Sequence, residues 1–376
     1  MNVAEGRSSF KPADLSSSIF ASLGLVGESN LLGIEKSLGR ELFFLIDGFG
    51  DFIFKDFSGE IPALSNLEEF TRLEAHFPST TVTNLTSIGT GRYPCDHGMV
   101  GYTMRIPWSQ PGTPALLNGL KWDERIDPLT WQEVPTLFER ARTEGIDVSH
   151  IASARYEGSG FTRAALRGPK YLPASTDDEI MAALQTATKS TPSFTYLYLN
   201  DVDDAGHSTG VGSNRWKSAL ARVDGLIARI ARELPSGTRV WVSADHGMIN
   251  AGEKVVIGKG NNLLDEVEIL GGEPRARNLY LKREPDGLVD EKVIARVRQR
   301  WAEFFGDRIE ILTPEEGYGS NLGQRVRSRI GEIIIVPKDQ TILIESEREE
   351  TQMRMVGHHG SITEAELEIP LRVMKL

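Results

Sequence analysis

Runs of apolar residues alternate along the chain with segments whose apolar residues recur every three or four positions. The runs at 42–46, 194–199 and 240–242 are typical of buried strands. The spacing in 213–233 is typical of an amphipathic helix. Alternation of the two patterns predicts a largely parallel sheet covered by helices on both faces.

The same patterns, with Gly and Pro as boundaries, predict individual elements. Strands are predicted at 41–47, 146–151, 193–199, 238–243 and 367–373. Helices are predicted at 67–75, from 82 to at least 88, and at 135–145, 177–188 and 213–233. The fold class that follows is α/β with three layers, in which the sheet lies between helices.

The chain is long enough for one large α/β domain with an insertion. Residues 1–36 are rich in Ser and Gly, and we expect them to form an extension packed on the domain, with a short helix at 31–38. Residues 37–376 form the predicted main domain. Within it, 251–350 carries Gly and Pro punctuation and predicts a smaller inserted α+β subdomain. Its predicted elements are a helix at 291–305 and strands at 332–336 and 341–344.

Charge and cysteine content limit the classes of partner and compartment. The formal charge of −11 argues against a surface for nucleic-acid polymers, because such a surface needs basic residues to neutralise phosphates. The single Cys95 cannot form an internal disulfide, which favours the cytoplasm. The apolar segment 19–26 lacks the flanks of a signal peptide, and no stretch approaches the ~20 apolar residues of a membrane span. We therefore expect a cytoplasmic protein without a membrane partner; the sequence leaves the oligomeric state open.

Acidic residues and histidines follow the predicted strands. Asp47, Asp203 and Asp245 each come shortly after a strand, and His207 and His246 lie close behind. The carboxyl ends of parallel strands meet at one edge of a sheet, where open α/β folds bind ligands. Asp and His suit divalent ions such as zinc, manganese or iron, and a pair of ions can hold the attacking and leaving oxygens of a displacement. The pattern predicts a two-metal phosphoryl-transfer site for a small phosphorylated substrate.

Two of these pairs also have simpler explanations. Asp203 and His207 are four residues apart and can face one ion if the segment is helical, but they also suit an Asx-rich turn. Asp245 and His246 are adjacent, and adjacent side chains ordinarily diverge. Their joint ligation therefore needs an irregular strand end, which Gly247 permits.

A threonine-rich turn at 79–83 offers a nucleophile. A divalent ion lowers the pKa of bound water from about 15.7 to about 7, and the same effect acts on a coordinated hydroxyl. The turn enters a predicted helix, whose free N–H groups favour an alkoxide or a phosphate. The alternative is that these hydroxyls only cap the helix, a common role for Ser and Thr.

Glycines flank His358 and His359, which leaves little packing to explain a histidine there. One of the two is expected to bind metal, and the other to lie beside the site or on the surface. His76, His97 and His150 are expected to be structural, and His97 is the one to test because it lies near the threonine turn in sequence.

With these residues in view, the chain resembles the type I phosphodiesterase/nucleotide pyrophosphatase family of the alkaline phosphatase superfamily. The similarity extends from Asp47 to the C-terminus, with the motifs in the family's order and spacing. The motifs are Asp47-Gly48, 77–84, 90–94, 203–207, 243–248 and 357–360. The resemblance implies a three-layer alkaline-phosphatase-like fold and a metal-dependent hydrolase of phosphodiester or pyrophosphate bonds.

The resemblance also implies two bound divalent ions, with zinc expected and manganese or iron as alternatives. The implied ligands are Asp203, His207 and His359 for one ion, and Asp47, Asp245, His246 and the nucleophile for the other. Thr81 is the implied nucleophile, with Thr80 less favoured; it would form a phosphothreonine that water hydrolyses, while Asn84 contacts a phosphate oxygen. Three aspartates and one alkoxide would balance the charge of two divalent ions.

This sequence departs from the family in two respects. Leu85 stands where relatives often carry a polar residue, and the single Cys95 contrasts with disulfide-bonded secreted relatives. Both bear on nucleotide preference. A sulfatase is not expected, because the Cys/Ser-x-Pro-x-Arg pattern is absent around Cys95.

Two alternatives stay open. A phosphomonoesterase or phosphonate hydrolase on the same fold would need a cation over the extra phosphate oxygen. The candidate cations are Arg92, Arg105, Arg275 and Arg277. The alternative of another class is a non-catalytic metal-binding protein, whose signature would be a missing ligand, yet all seven expected positions are filled.

Overall fold

A computed structural model describes residues 9–109, 116–284, 287–345 and 349–376. Seven strands from these residues form one sheet. In spatial order they are Glu68–Glu74, Glu368–Lys375, Thr238–Ser243, Arg40–Ile46, Ser193–Leu199, Asp147–Ala152 and Lys170–Pro173. All run parallel except Glu368–Lys375, which is antiparallel to both neighbours. The predicted α/β class with a largely parallel sheet is confirmed.

The centre of this sheet explains why its strands are so apolar. Arg40–Ile46 pairs with Ser193–Leu199 on one side and with Thr238–Ser243 on the other. Nearly every residue of these three strands is buried, as expected for parallel strands covered on both faces. Because the three strands are adjacent and parallel, the residues that follow them emerge at one edge of the sheet.

Helices flank the sheet, and the described helices are as follows in chain order. They are Pro12–Leu23, Phe52–Asp56, Pro62–Ser65, Thr81–Thr90, Pro94–His97, Pro128–Trp131, Leu137–Thr143, Gly160–Ala165, Asp177–Ala187, Asp201–Thr209, Asn214–Glu233, Glu291–Phe305, Pro314–Tyr318, Gln324–Arg327, Glu350–Arg354 and Glu364–Leu367, with 3₁₀ turns at Ser58–Glu60, Ala154–Tyr156 and Gly306–Arg308. The predicted helices after 82 and at 135–145, 177–188 and 213–233 are confirmed with small shifts of their ends. Among the described residues, none of these helices combines the length and apolar character needed to cross a membrane.

The N-terminal segment differs from its prediction. The helix lies at Pro12–Leu23, whereas the predicted short helix at 31–38 is wrong because that segment is irregular. Leu15, Ile19 and Phe20 are buried, and the Phe20 ring lies 4.5 Å from the ring of Phe194 on a central strand. The segment packs on the domain through a buried apolar face; residues 1–8 of the predicted extension lie outside the described residues.

The predicted helix at 67–75 is wrong, because this segment is the strand Glu68–Glu74. Its charged composition suits a helix. However, its backbone pairs with Glu368–Lys375, with Leu73 opposite Ile369, and only Leu73 and Glu74 are buried within the strand. A charged edge strand exposes its outer face and discourages pairing with other chains. Pairing with a strand almost 300 residues later in the sequence therefore determines that this segment is a strand.

The region 251–350 forms mostly its own sheet. Strands Val267–Glu273, Ala276–Leu281, Ile333–Pro337 and Ile309–Leu312 pair antiparallel in that order, and Lys254–Val256 pairs with Ile342–Ile344. Buried residues from this region form a core distinct from that of the main sheet, with Trp301 of helix Glu291–Phe305 at its centre. The predicted helix and strands are confirmed here. Residues 285–286 and 346–348 lie outside the described residues, and the subdomain boundaries stay a prediction.

Two further strand pairs connect these parts. Ile249–Asn250 pairs antiparallel with Gly357–His358, and Thr103–Arg105 pairs antiparallel with Leu116–Asn118. The first pair joins the segment after a central strand to the segment that carries the paired histidines.

Close packing of helix Thr81–Thr90 predicts a strong effect of one added methyl group. A Cβ at Gly89 would lie 2.0 Å from the Ala165 carbonyl oxygen, so Gly89→Ala should lower the melting temperature markedly. Gly225→Ala is the matched control, because Gly225 is an exposed helical glycine with nothing within 4 Å of the added methyl. It should stabilise by up to about 1 kcal/mol. Thermal denaturation measures both; an unchanged melting temperature for Gly89→Ala would contradict the packing.

Candidate functional site

Three aspartates meet at the carboxyl edge of the central strands. Asp47 directly follows Arg40–Ile46, and Asp245 follows Thr238–Ser243. Gly48 turns the chain at φ 72°, a conformation that favours glycine, and a Cβ there would lie 3.1 Å from Cα of Asp203. The tight turn lets the Asp47 and Asp203 segments approach each other.

One group of ligand atoms comes from Asp203, His207 and His359, which lie within 4.8 Å of one another. Asp203 and His207 lie on helix Asp201–Thr209, so their four-residue spacing does put both on one face, with Oδ1 and Nε2 3.4 Å apart. His359 follows strand Gly357–His358 and places its Nε2 3.2 Å from Nε2 of His207. The helical explanation of the Asp203 and His207 spacing is confirmed.

A second group surrounds His246. Its Nε2 lies 3.4 Å from Oδ1 of Asp47, 3.4 Å from Oδ2 of Asp245 and 3.1 Å from Oγ1 of Thr81. Asp203 also lies within 4.8 Å of the Asp47 and His246 ligand atoms, so this aspartate reaches both groups. The rings of His246 and His359 stack with centroids 3.7 Å apart. The structure thus brings all seven predicted ligand positions together.

Backbone carbonyls orient the three histidines. Nδ1 lies 2.8 Å from the Gly357 carbonyl in His207, 2.9 Å from the Gly247 carbonyl in His246 and 2.9 Å from the Ser79 carbonyl in His359. Nδ1 must donate in each case, which leaves a lone pair on Nε2 of the neutral ring. The lone pairs of His207 and His359 then face each other across 3.2 Å, an arrangement that a cation between them stabilises.

The environment of the three aspartates also favours a bound cation. Oδ1 of Asp47, Oδ1 of Asp203 and Oδ2 of Asp245 are buried and accept no hydrogen bond from the described residues. Burial raises the pKa of Asp47 well above its usual value, and the neighbouring Asp245 and Asp203 raise it further. Burial also raises the pKa of Asp245. Unpaired carboxylate oxygens beside imidazole lone pairs are a donor set that fits divalent ions.

Thr81 is the first residue of the buried helix Thr81–Thr90, and Thr80 occupies the N-cap position. The Thr80 side chain makes no capping bond, so the capping explanation of this turn is not supported at Thr80. Because Nδ1 of His246 donates to a carbonyl, its Nε2 accepts from the Thr81 hydroxyl at 3.1 Å. Thr81 therefore faces the cluster of ligand atoms with its oxygen at the start of a helix.

Asn84 differs from the role that the resemblance implies. Its side chain is fully buried, accepts from the His76 N–H at 2.7 Å and donates to carbonyls that include Thr80 at 3.1 Å. These bonds hold the turn that presents Thr81 and use the amide group. Asn84 therefore supports the turn, and the expected phosphate contact of this residue stays a prediction.

The four candidate arginines all form ion pairs with protein carboxylates. Each pairs with carboxylates: Arg92 with Glu28, Arg105 with Glu268 and Glu332, Arg275 with Glu366, and Arg277 with Glu349. Arg275 and Arg277 are buried in these pairs. The expectation that one of them covers a phosphate oxygen is therefore not supported by their positions.

His76, His97 and His150 are buried, and none of them belongs to the two groups of ligand atoms. His76 and His150 pack against tyrosine rings, and burial lowers the pKa of His150 to about 3. His97 lies 2.9 Å from the Ser87 hydroxyl of the Thr81–Thr90 helix, with a pKa that burial lowers to about 3. His97 hydrogen-bonds this helix and belongs to neither group of ligand atoms.

Two cavities meet at Thr81. The first has a volume of about 280 Å³ and the second about 200 Å³, and both include Thr81, Leu120 and Asp203 in their walls. The first cavity is further lined by Asp47, Leu85, His150, Arg155, Tyr156, Ser159, Phe161, Thr162, Leu166, Tyr198 and Asn200. The second cavity is further lined by Thr80, Tyr102, His207, Glu273, Pro274, Gln352, Met355, His358 and His359. The predicted nucleophile therefore lines both cavities.

Sequence patterns did not reveal two side chains at this site. The Tyr198 hydroxyl donates to Oδ2 of Asp47 at 2.5 Å, from a strand whose apolar run suggested only a core position. Glu273, from the 251–350 region, reaches the second cavity, and burial raises its pKa to about 8. Alternation along the strand could have suggested Tyr198, but no local pattern marks Glu273.

Tyr198 predicts a measurable effect on metal affinity. Tyr198→Phe removes the donor to Asp47 and should weaken divalent-ion binding by about 10- to 100-fold, the usual cost of losing an outer partner of a ligand. Tyr196→Phe is the matched control, because Tyr196 is buried on the same strand and its hydroxyl has no partner among the described residues. Competition with a metal-binding dye measures both affinities; equal affinities would show that Tyr198 does not support Asp47.

Comparisons with known proteins identify the family and agree with the fold. A model of the family described as type I phosphodiesterase/nucleotide pyrophosphatase matches residues 42–362. Human ectonucleotide pyrophosphatase/phosphodiesterase family member 1 is 26% identical over 223 residues, which cover 55% of this chain and 23% of the human protein. Ectonucleotide pyrophosphatase/phosphodiesterase 2 of Saccharomyces cerevisiae is 23% identical over 320 residues, 76% of this chain and 64% of the yeast protein. The chain thus spans less than two thirds of the length of these relatives.

Solved structures show the same fold. Murine ectonucleotide pyrophosphatase/phosphodiesterase 5 has a TM-score of 0.66 at 17% identity and covers 88% of this chain and 87% of its own. An inactive threonine-to-alanine variant of it, in complex with AMP, also has a TM-score of 0.66, at 16% identity, covering 89% of this chain and 87% of its own. Phosphonoacetate hydrolase from Sinorhizobium meliloti, in complex with phosphonoformate, has a TM-score of 0.64 at 17% identity over 90% of each chain. The predicted alkaline-phosphatase-like fold is confirmed.

Proposed function

Because this chain belongs to the type I phosphodiesterase/nucleotide pyrophosphatase family, we propose that it is a metal-dependent hydrolase of phosphodiester or pyrophosphate bonds that acts through a phosphothreonine. One observation carries the proposal: the Thr81 oxygen lies at a helix start, 3.1 Å from Nε2 of His246 and between two cavities. A nucleophile, a cluster of metal-ligand atoms and space for two substituents therefore occur at one point.

The environment of Thr81 supports its role as nucleophile. Free N–H groups at the start of helix Thr81–Thr90 favour negative charge on an oxygen there. The Thr81 hydroxyl donates to Nε2 of His246. Attack by Oγ1 on phosphorus would form the phosphothreonine and release an alcohol or phosphate group. Water would then cleave the phosphothreonine and restore the hydroxyl.

Asp203, His207 and His359 would hold one divalent ion, and Asp47, Asp245, His246 and Thr81 would hold the other. Bound ions would lower the pKa of a coordinated hydroxyl or water and neutralise phosphate charge. Zinc is the proposed metal because Asp and His oxygens and nitrogens suit it, with manganese or iron as alternatives. The buried, unpaired oxygens of the three aspartates support this assignment.

The two cavities support a substrate with a group on each side of the scissile phosphorus. A phosphodiester or pyrophosphate carries two such groups, whereas a phosphomonoester carries one. The apolar side chains of the first cavity, such as Leu85 and Phe161, suit a planar or apolar group. The murine structural relative in complex with AMP supports a small phosphorylated nucleotide as one such substrate.

A phosphonate hydrolase or phosphomonoesterase is the second candidate. The neighbour that hydrolyses phosphonoacetate has the same fold. Arg155 lines the first cavity and could contact an extra phosphate oxygen, although it hydrogen-bonds Asn200 at 3.1 Å. Arg155 is therefore the candidate cation for the extra phosphate oxygen, instead of the four arginines that the sequence suggested.

Hydrolysis of model esters separates the candidates. The zinc-loaded protein should hydrolyse bis-p-nitrophenyl phosphate with a higher kcat/KM than p-nitrophenyl phosphate, because both substituents of the diester find a cavity. The reverse order would favour a monoesterase, and Arg155→Ala should then reduce monoester hydrolysis. No turnover of either ester, with zinc, manganese or iron bound, would favour the non-catalytic metal-binding alternative.

The proposed substrate is a small phosphorylated molecule, with no nucleic-acid polymer as partner. The net charge of −11 supports the exclusion of a polymer. Cytoplasmic location is proposed from the single cysteine, Cys95, which is half-buried. Cell fractionation with an antibody to the chain tests the location.

A further inference from the structure

The second cavity contains a glutamate without an ion-pair partner among the described residues. Glu273 ends strand Val267–Glu273, is only 4% exposed and lines the cavity together with His207 and His359. The Thr80 side chain and the Tyr102 backbone face its carboxyl group. Gly360, next to His359, leaves room for it, since a Cβ there would lie 2.9 Å from Glu273 Cγ. The glutamate is therefore held at the wall of the cavity beside the ligand atoms.

Two residues of the cavity wall carry a buried polar atom that has no partner among the described residues. Oε1 of Glu273 and Nε2 of His358 are buried and receive no hydrogen bond from the described residues. His358 hydrogen-bonds the Met355 backbone, which uses its Nδ1–H and leaves Nε2 as an acceptor. Buried acceptors without donors are costly, so such atoms mark a place where a ligand supplies the donors.

The described residues that line the second cavity include the carboxylates of Asp203 and Glu273. No Lys or Arg is among the described residues that line the second cavity. Arg275 and Arg277, which follow Glu273 closely, are committed to Glu366 and Glu349. Since the aspartates and the Thr81 oxygen would balance two divalent ions, Glu273 adds negative charge whenever it is ionised. An anionic group such as a pyrophosphate thus meets no cationic side chain among the described lining residues, although Arg277 acts on Glu273, and Lys254 and Arg275 act on His358, from outside the wall.

We propose that the second cavity accepts a small alcohol bearing an amino group as one ester group of a phosphodiester, and that Glu273 selects it over pyrophosphate. This inference rests on the proposed function for the cleavage at Thr81. The ammonium group of the alcohol donates to Oε1 of Glu273 and to Nε2 of His358. Glu273 acts as a specificity residue that contacts the substrate and takes no part in bond cleavage.

The raised pKa of Glu273 is consistent with this role. Burial raises it to about 8, so the empty cavity avoids part of the cost of a buried charge. An ammonium group beside the carboxyl would favour the ionised form, because opposite charges at close range stabilise each other. Binding of an amino alcohol thereby supplies an ion-pair partner that no described residue provides for Glu273.

Three AMP derivatives that differ only in the second group test the proposal with the full, zinc-loaded chain. They are the 2-aminoethyl ester, the ethyl ester and ATP, and AMP release measures cleavage of each. We expect the highest kcat/KM for the aminoethyl ester and the lowest for ATP. Glu273→Gln keeps shape but removes the charge, and it should reduce the preference for the aminoethyl over the ethyl ester by about tenfold.

Glu268→Gln is the matched control, because Glu268 lies on the same strand but is exposed and pairs with Arg105 outside the cavity. Its substrate preference should equal that of the unaltered chain. A preference for ATP, or an unchanged ester preference in Glu273→Gln, would overturn the proposal while leaving the phosphodiesterase function intact.

A binding measurement tests recognition by Glu273 independently of the proposed hydrolysis at Thr81. Calorimetry with zinc-loaded Thr81→Ala protein compares the aminoethyl and ethyl esters without turnover. About tenfold tighter binding of the aminoethyl ester, lost in Thr81→Ala/Glu273→Gln, supports the role of Glu273 even if no ester is cleaved. Equal binding of both esters by the Thr81→Ala protein would reject that role.

Discussion

Thr81→Ala should abolish turnover of phosphodiesters, with a fall in kcat of at least about a thousandfold, the scale seen when a nucleophile is removed. Thr81 supplies the oxygen at the helix start that faces His246. Alanine adds no bulk at this buried position, and six other predicted ligand positions remain. Bound metal should therefore stay largely intact, as measured by mass spectrometry of the metal in purified protein.

Two variants make this result specific. Thr81→Ser keeps a hydroxyl at the same position and should retain measurable activity. Thr80→Ala removes the neighbouring hydroxyl at the N-cap, which makes no capping bond, and should keep the phosphothreonine step. Trapping of a phosphorylated protein by rapid acid quench, followed by peptide mapping, identifies the residue. Phosphate on Thr80, or unchanged activity of Thr81→Ala, would reject Thr81 as the nucleophile.

His359→Ala should remove one of the two proposed ions and lower activity by more than about a hundredfold. Its Nε2 is one of three ligand atoms in the group with Asp203 and His207. Removing a residue that binds the ion directly should lower metal affinity by more than the roughly 10- to 100-fold that follows from removing a hydrogen-bond partner of a ligand. Asp203→Ala should have a still larger effect on metal content, since Asp203 reaches both groups of ligand atoms.

The neighbouring histidine provides the control for metal content. His358 is buried beside His359, but its ring centre is 6.3 Å from that of His207 and it belongs to neither group of ligand atoms. His358→Ala should keep both ions. If His358→Ala loses metal and His359→Ala does not, the ligand assignment between these two residues is reversed.

The apolar runs allowed most of the central sheet to be predicted. Strands before Asp47, Asp203 and Asp245 are buried on both faces, so their sequences are continuous apolar runs that local inspection detects. Parallel order then places the following carboxylates at one edge. The sequence left a helix and a turn open for Asp203 and His207, and the structure places both residues on helix Asp201–Thr209.

Other features depended on contacts that no local pattern encodes. The edge strand Glu68–Glu74 has a composition that suits a helix, and pairing with the last strand overrode it. Asn84 lies next to the nucleophile turn, yet its amide is used by backbone groups of that turn. The four candidate arginines form ion pairs with carboxylates that lie from 64 positions away, for Arg92 and Glu28, to 163 positions or more, for Arg105.

The sequence by itself determined the fold class and the family and named candidate metal ligands, because burial and ligand chemistry are properties of short segments. Only the tertiary structure decided which side chains face the same point, that Asp203 reaches both groups, that Tyr198 supports Asp47, and that Glu273 lines a second cavity. The direction in which a side chain points depends on packing between segments that are distant in sequence. A short segment alone does not specify which distant segments pack against it.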